Sequence, residues 1–199
     1  MYKLGITGGI GSGKTTVSNY IEQTYDSVYL FNADKESKSH LKKSLSLQHR
    51  IINVFGSAVT VNNKLEISKL AEVAFSDKIN QNILNGIMWA EVFILINNKI
   101  EECQKSKIKL FIVDAAMIFE AKLENLFDST LLITSKKEVR LKRAEKRRNI
   151  SLEQIKKRMS LQLSENEKQK IATHIIKNNN DIDSLYASVD KFYKKILPG

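Results

Sequence analysis

Tyr2-Lys3-Leu4-Gly5-Ile6-Thr7-Gly8-Gly9-Ile10-Gly11-Ser12-Gly13-Lys14-Thr15 lies at the start of the chain, and its reading decides the fold. Tyr2 to Ile6 reads as a short buried strand. Gly8 to Thr15 then fits G-x-x-x-x-G-K-[ST] at every specified position. Glycines let the backbone turn sharply and bring successive N–H groups onto the oxygens of a phosphate. A helix from Lys14, with Val17, Tyr20 and Ile21 on one apolar face, adds the positive end of its dipole. Lys14 is spaced to reach the β and γ phosphates of a nucleotide, and the Thr15 hydroxyl to enter a Mg²⁺ shell. Without a ligand the same stretch would be a glycine-rich strand–helix turn. The strand before it and the amphipathic helix after it favour the phosphate cradle.

Outward from this loop, Val28–Phe31, Leu110–Val113, Thr130–Thr134 and His174–Ile176 read as further strands, with helical sequence between them. Strands alternating with helices predict an α/β chain of the P-loop NTPase three-layer type, with a mainly parallel five-stranded sheet. About 80 residues separate the second strand from the third, more than one crossover helix needs. The expected organisation is a single domain over 1–199. Its core comprises 1–40, 108–135 and 171–199. A helical acceptor-binding insertion fills 41–107, with a short hairpin near Val59–Leu65, and a basic helical lid fills 136–170.

Composition narrows the function classes. The 199 residues are 42% hydrophobic, enough for a real core, and carry a net charge of +10. One cysteine, Cys103, excludes an internal disulfide framework and cannot alone make a zinc site. No run approaches roughly 18 uninterrupted apolar residues, so no membrane partner is expected. No secretory signal is evident, so a cytoplasmic location is expected. Residues 136–158 hold eleven Lys or Arg against three Asp or Glu, so most of the positive charge is local. A nucleic-acid surface would spread it more evenly and interleave aromatics, so no nucleic-acid partner is expected. The guanine-reading N-K-x-D of a GTPase is approached only by Asn98-Lys99-Ile100-Glu101, which ends in Glu and lies in helical sequence.

A small-molecule kinase fits what remains, and it needs a carboxylate to accept the proton of the attacking hydroxyl. In an open α/β sheet, ligands gather beyond the C-terminal ends of the strands. Asp34 follows the second strand and is the candidate base; the competing reading is a helix N-cap. Asp114 closes the third strand, where a carboxylate would act on Mg²⁺ through water. Lys136, Arg140, Arg143 and Arg147 are spaced by 4, 3 and 4, one helical face. They read either as a solvated stripe or as a lid whose guanidiniums close over a triphosphate. Trp89, Phe93 and Ile96 read as the core face of a helix, His40 and His49 as surface residues, His174 as structural, and Cys103 as an ordinary packed side chain.

Thr7-Gly8-Gly9-Ile10-Gly11-Ser12-Gly13-Lys14-Thr15 resembles the T-G-G-I-G-S-G-K-[ST] of the dephospho-coenzyme A kinase family. So do Ala33-Asp34 (end of D-A-D), Phe55-Gly56, Ile118-Phe119-Glu120 (tail of P-L-L-F-E) and Leu141-Lys142-Arg143 with Arg147. Gln162, Ser164 and Lys168 resemble a Q-x-S-x-x-x-K run, and Asn178-Asn179 an N-N pair near adenine. The resemblance implies ATP-dependent phosphorylation of the ribose 3′-hydroxyl of dephospho-coenzyme A, with ATP as donor and Mg²⁺ as cofactor; the alternative is a kinase for another nucleotide or nucleoside. It implies ATP contacts from Gly8, Gly9, Ile10, Gly11, Ser12, Gly13, Lys14, Thr15, Thr16, Arg140, Arg143, Arg147, Asn178 and Asn179. It implies catalytic roles for Asp34, Lys14 and Arg143, acceptor contacts from Asp34, Lys38, Phe55, Trp89 and Glu120, and metal contacts from Thr15 and Asp114. A monomer is expected. The chain departs from the family pattern at Asn32 (for Asp), Lys38 and Ile67 (for Arg), Met88-Trp89-Ala90 (for L-H-P), Ala116 (for Pro) and Arg148 (for Asp). Most of these departures fall on the acceptor side, and the ATP side is nearly intact.

Overall fold

The computed structural model describes residues 1–146 and 151–198. In chain order the elements are β1 (Tyr2–Thr7), α1 (Lys14–Thr24), β2 (Val28–Asn32), α2 (Ala33–Lys43), α3 (Leu45–Phe55), β3 (Thr60–Val61), β4 (Lys64–Leu65), α4 (Ile67–Ala74), α5 (Lys78–Gln104), β5 (Leu110–Asp114), β6 (Ser129–Thr134), α6 (Lys137–Lys146), α7 (Leu152–Ser160), α8 (Glu165–Ile171), β7 (His174–Lys177) and α9 (Ile182–Ile196). They fall into two compact units, one of residues 1–32 and 99–199, the other of 33–98.

In the first unit β1, β2, β5, β6 and β7 form one sheet in the order β2-β5-β1-β6-β7, every neighbour parallel. The register pairs Ile6 and Asn32 with Asp114, and Thr134 with Lys177, so the strands end on one edge. Alternation along the strands sends Leu4, Ile6, Leu110, Ile112, Leu131 and Ile133 to one face. There they meet Val17 and Ile21 of α1 and Leu185, Val189 and Phe192 of α9, all buried. Burying each such side chain contributes roughly 1.5–3 kcal/mol, so the sheet holds α1, and the loop before it, in place. Tyr20 and Tyr25 both donate to Asp190 Oδ1, at 2.9 and 2.7 Å, while Tyr20 stacks on Tyr186 and Tyr25 on Tyr193, which ties α1 to α9. The His174 and Phe192 rings meet edge-on, and burial with the nearby Lys195 charge lowers the His174 pKa. Cys103 is 5% exposed, and burial raises the pKa of its thiol.

The second unit has its own core of Leu41, Leu47, Ile51, Val59 and Leu70, against which Phe55, Leu84, Ile87 and Met88 pack. The Ser44 hydroxyl accepts from Leu47 N and caps α3. The β3–β4 hairpin turns at Asn62 and Asn63, both at positive φ, as a two-residue hairpin loop requires. This unit begins at Ala33 rather than residue 41, because Leu41 of α2 belongs to its core, and it ends at Asn98 rather than 107.

Two expectations change. Ile96 is buried, but Phe93 is 41% exposed, since spacing defines a helix face and not which side meets a neighbour. His40 is not a free surface residue: its Nε2 lies 2.8 Å from Glu91 Oε2, and Arg50 donates to Glu91 Oε1 at 2.5 Å. Burial pushes the Glu91 pKa upward, but these partners outweigh it and leave the pKa below the usual carboxylate value. Among the described helices, α5 is long and apolar enough to cross a membrane by length and composition. Asn, Gln, Lys and Glu residues interrupt its apolar run. Its Leu84, Ile87 and Met88 are nevertheless packed on the second unit's core.

Candidate active site

The cradle follows β1 directly. Thr7 is buried and its hydroxyl donates to Ala116 O at 3.3 Å, while Ser12 N donates to Gly9 O at 3.0 Å, closing the turn. Gly13 sits at φ 96, a left-handed conformation that glycine takes without the Cβ clash other residues meet, and its carbonyl starts α1 by accepting from Val17 N. At Gly9 the close neighbours are side-chain ends. A Cβ there would run into Arg140 Nη1 and would lie 2.9 Å from Glu165 Oε1.

Lys14 extends from the cradle to Asp114 at the end of β5 and forms an ion pair with its Oδ1. Asp114 is fully buried, and its Oδ2 accepts from Ser18 Oγ at 2.9 Å. Ser18, on the same face of α1 as Lys14, belongs to the site although the sequence reading did not single it out. A hydroxyl at Thr15 and a strand-end carboxylate at Asp114 suit a Mg²⁺ ion, which takes few protein oxygens and relies on substrate phosphates and water for the rest. Among the described residues no cluster of three His, Cys, Asp or Glu could hold a metal alone.

Within the basic stripe Lys136 is exposed, Arg143 half-buried and Arg140 buried. Arg140 is 7% exposed, lies against Gly9, and donates from Nη1 to Glu165 Oε1 at 2.8 Å. Thr134, at the end of β6, donates to the other Glu165 oxygen. Arg143 donates to the Asn178 backbone carbonyl at 3.0 Å and side-chain oxygen at 3.4 Å, and Asn178 Nδ2 donates to Ser12 O at 2.8 Å. The loop after β7 therefore clasps both the cradle and the root of α6. Asn179 supports that root, accepting from Lys136 N at 2.8 Å and Ser135 Oγ at 3.2 Å. Arg147 and Arg148 lie outside the described residues. Ser12 Oγ and Arg140 Nε are buried without a hydrogen-bond partner among the described residues. Under-satisfied donors converging on a glycine loop are suited to an anion. Beside them, a cleft of about 290 Å³ is lined by Gly11, Gly13, Thr16, Arg143, Asn178 and Asp181 among others.

Glu120 does not stand alone. Its Oε1 lies 2.9 Å from the fully buried Lys168 Nζ and accepts from Leu163 N at 2.9 Å, while Lys168 also reaches Ala116 O at 3.4 Å. Asp34, Lys38, Phe55 and Trp89 all belong to the second unit. Asp34 is the second residue of α2, inside its first turn, rather than a cap before it. Asp34 and Lys38 are exposed and one turn apart, whereas Phe55 packs on the unit's core. Glu165 was missed by sequence reading. Ser164-x-x-Glu167 forms the capping box that starts α8, a local signal for the helix, but nothing local pairs Glu165 with an arginine 25 residues away.

Comparison with known proteins gives this arrangement a relationship. The family model described as Dephospho-CoA kinase matches residues 2–184. The dephospho-CoA kinase of Fusobacterium nucleatum is 36% identical over 194 residues, covering 97% of each chain. Among solved structures, TT1252 from Thermus thermophilus superposes with a TM-score of 0.79 at 26% identity, covering 98% of both chains. The dephospho-CoA kinase from Campylobacter jejuni gives 0.67 at 27% identity, covering 98% of this chain and 96% of that one. A model match over nearly the whole chain, with a relative this similar end to end, places the chain in the dephospho-CoA kinase family.

Proposed function

We infer that the chain transfers the γ-phosphoryl group of ATP to the ribose 3′-hydroxyl of dephospho-coenzyme A, giving coenzyme A and ADP, the last step of coenzyme A synthesis. The observation that carries the donor half is the convergence of Lys14, Arg140 and the Gly8–Thr15 backbone on one cradle at the sheet's C-terminal edge. Family membership supports the acceptor.

In this reading the cradle's N–H groups and Lys14 bind the phosphates, with Asp114 and Ser18 fixing where Lys14 starts from. Arg140 and Arg143 add positive charge from the lid; cations at a transferring phosphoryl group can be worth on the order of 10³–10⁵ in rate. Mg²⁺, held by Thr15 and through water by Asp114, would supply charge neutralisation between the phosphates. Asp34 accepts the proton of the attacking hydroxyl, and Lys38 and Trp89 contribute to the acceptor side. The protein acts as a cytoplasmic monomer without a nucleic-acid or membrane partner.

The test is incubation of the purified chain with ATP, Mg²⁺ and dephospho-coenzyme A, with the product identified by mass and fragmentation. Coenzyme A phosphorylated at the 3′ position, absent with Lys14→Ala, is the expected result. Turnover of nucleoside monophosphates in preference to dephospho-coenzyme A would refute the acceptor assignment. Undiminished turnover by Lys14→Ala would remove the cradle from the mechanism.

A further inference from the structure

The Arg140 guanidinium lies against the cradle backbone at Gly9, yet its charge is already met by a carboxylate. Its Nη1 donates to Glu165 Oε1 at 2.8 Å, and that same oxygen lies 2.9 Å from where a Cβ on Gly9 would be. A carboxylate therefore stands at the wall of a site that the rest of the fold makes positive. It is held there on both oxygens, by Arg140 on one and by the Thr134 hydroxyl on the other, and the Ser164–Glu167 capping box fixes the turn it belongs to. Only 22% of its side chain is exposed, so water screens it poorly.

We propose that Glu165 is a built-in competitor for the incoming polyphosphate: it neutralises Arg140, and an anion entering the cradle must share the guanidinium with it. Glu165 thus lowers the affinity of the cradle for polyphosphate, setting how readily the anion leaves as well as how it binds. Two anions drawing on one cation are negatively coupled, and couplings between such sites are typically about 5–150-fold. The proposal rests on the reading of Gly8–Thr15 and Arg140 as the phosphate site. A carboxylate that merely braced α6 against α8 would have the opposite signature, because its removal would loosen Arg140 and weaken binding.

The experiment measures binding of inorganic tripolyphosphate, and separately of Mg·ATP, to the full chain by titration calorimetry. Glu165→Gln keeps the shape and a hydrogen-bond acceptor but removes the charge, and it is expected to bind tripolyphosphate at least about fivefold more tightly. Arg140→Met is expected to weaken binding. Equal or weaker binding by Glu165→Gln, with Arg140→Met also weakened, overturns the proposal and leaves the phosphate site standing. Unchanged binding by Arg140→Met removes Arg140 from the phosphate site and takes the proposal with it. Should Glu165→Gln fail to fold, Thr134→Val, which deprives Glu165 of one of its two anchors, is expected to shift affinity in the same direction by less. A shift the other way overturns the proposal equally.

Discussion

Replacing Lys168 with Met tests the energetics of a fully buried charge. The Lys168 side chain has no exposure, that of Glu120 is 8% exposed, and their charged atoms lie 2.9 Å apart. Without the ammonium group, Glu120 keeps, among the described residues, a single hydrogen bond, from Leu163 N, and its Oε2 already has no partner there. A carboxylate stranded in this way costs about 3–5 kcal/mol. In a chain of this size 1 kcal/mol moves the melting midpoint by roughly 2–4 °C, so Lys168→Met should melt about 10 °C below the parent. Lys168→Met combined with Glu120→Leu removes both charges and fills the same space, and should recover to within about 1 kcal/mol of the parent. Far-UV circular dichroism or calorimetry is the right assay, because Trp89, the only tryptophan, sits in the other compact unit. A single variant melting within about 3 °C of the parent, or a double variant less stable than either single, would refute the reasoning.

Three other outcomes follow from the same structure. Asp34→Asn should retain calorimetric affinity for Mg·ATP while ADP release in the presence of dephospho-coenzyme A falls on the order of 10²–10⁴-fold; equal loss of both would make Asp34 structural. Gly9→Ala should displace Arg140, lower stability by about 1–3 kcal/mol and weaken nucleotide binding, read from urea midpoints and titration; a variant indistinguishable from the parent would contradict the packing described. The His174 pKa is lowered by burial and by the Lys195 charge, so the unfolded chain binds the proton more readily. Stability should therefore fall as pH drops through about 6.5, the ordinary histidine value, and His174→Gln should flatten that slope in urea midpoints; an unchanged slope would assign it to other groups.

The parts of the fold legible from the amino-acid sequence were those governed by short-range patterns. Gly8–Thr15 declared itself because a phosphate cradle needs particular backbone freedom and one cation at fixed spacing. β1, β5 and β6 declared themselves because residues buried on both faces of a sheet form apolar runs. Asp114 was found from its position at a strand end. What stayed hidden depends on which distant surfaces meet. The 4-and-3 spacing of Trp89, Phe93 and Ile96 is equally compatible with a face toward solvent, and Phe93 lies there. Arg140 looked like one charge among several on a stripe, until the fold set it beside Gly9 and Glu165. Glu120 and Lys168 were both visible as pieces of separate motifs, yet their pairing spans 48 residues and leaves no local trace. The departures at Asn32, Ile67 and Met88-Trp89-Ala90 were legible as differences, but their consequence depends on the acceptor.

Cys103 gives the molecule an internal clock. It is the sole thiol of the chain, and it lies shielded near the end of the 27-residue helix α5, with its ionisation suppressed. A disulfide reagent can modify it only during excursions that unseat that last turn. The rate of labelling in native buffer therefore times local opening without any engineered probe, and its slowing by nucleotide would reveal whether ligand energy reaches a helix end remote in sequence from the cradle.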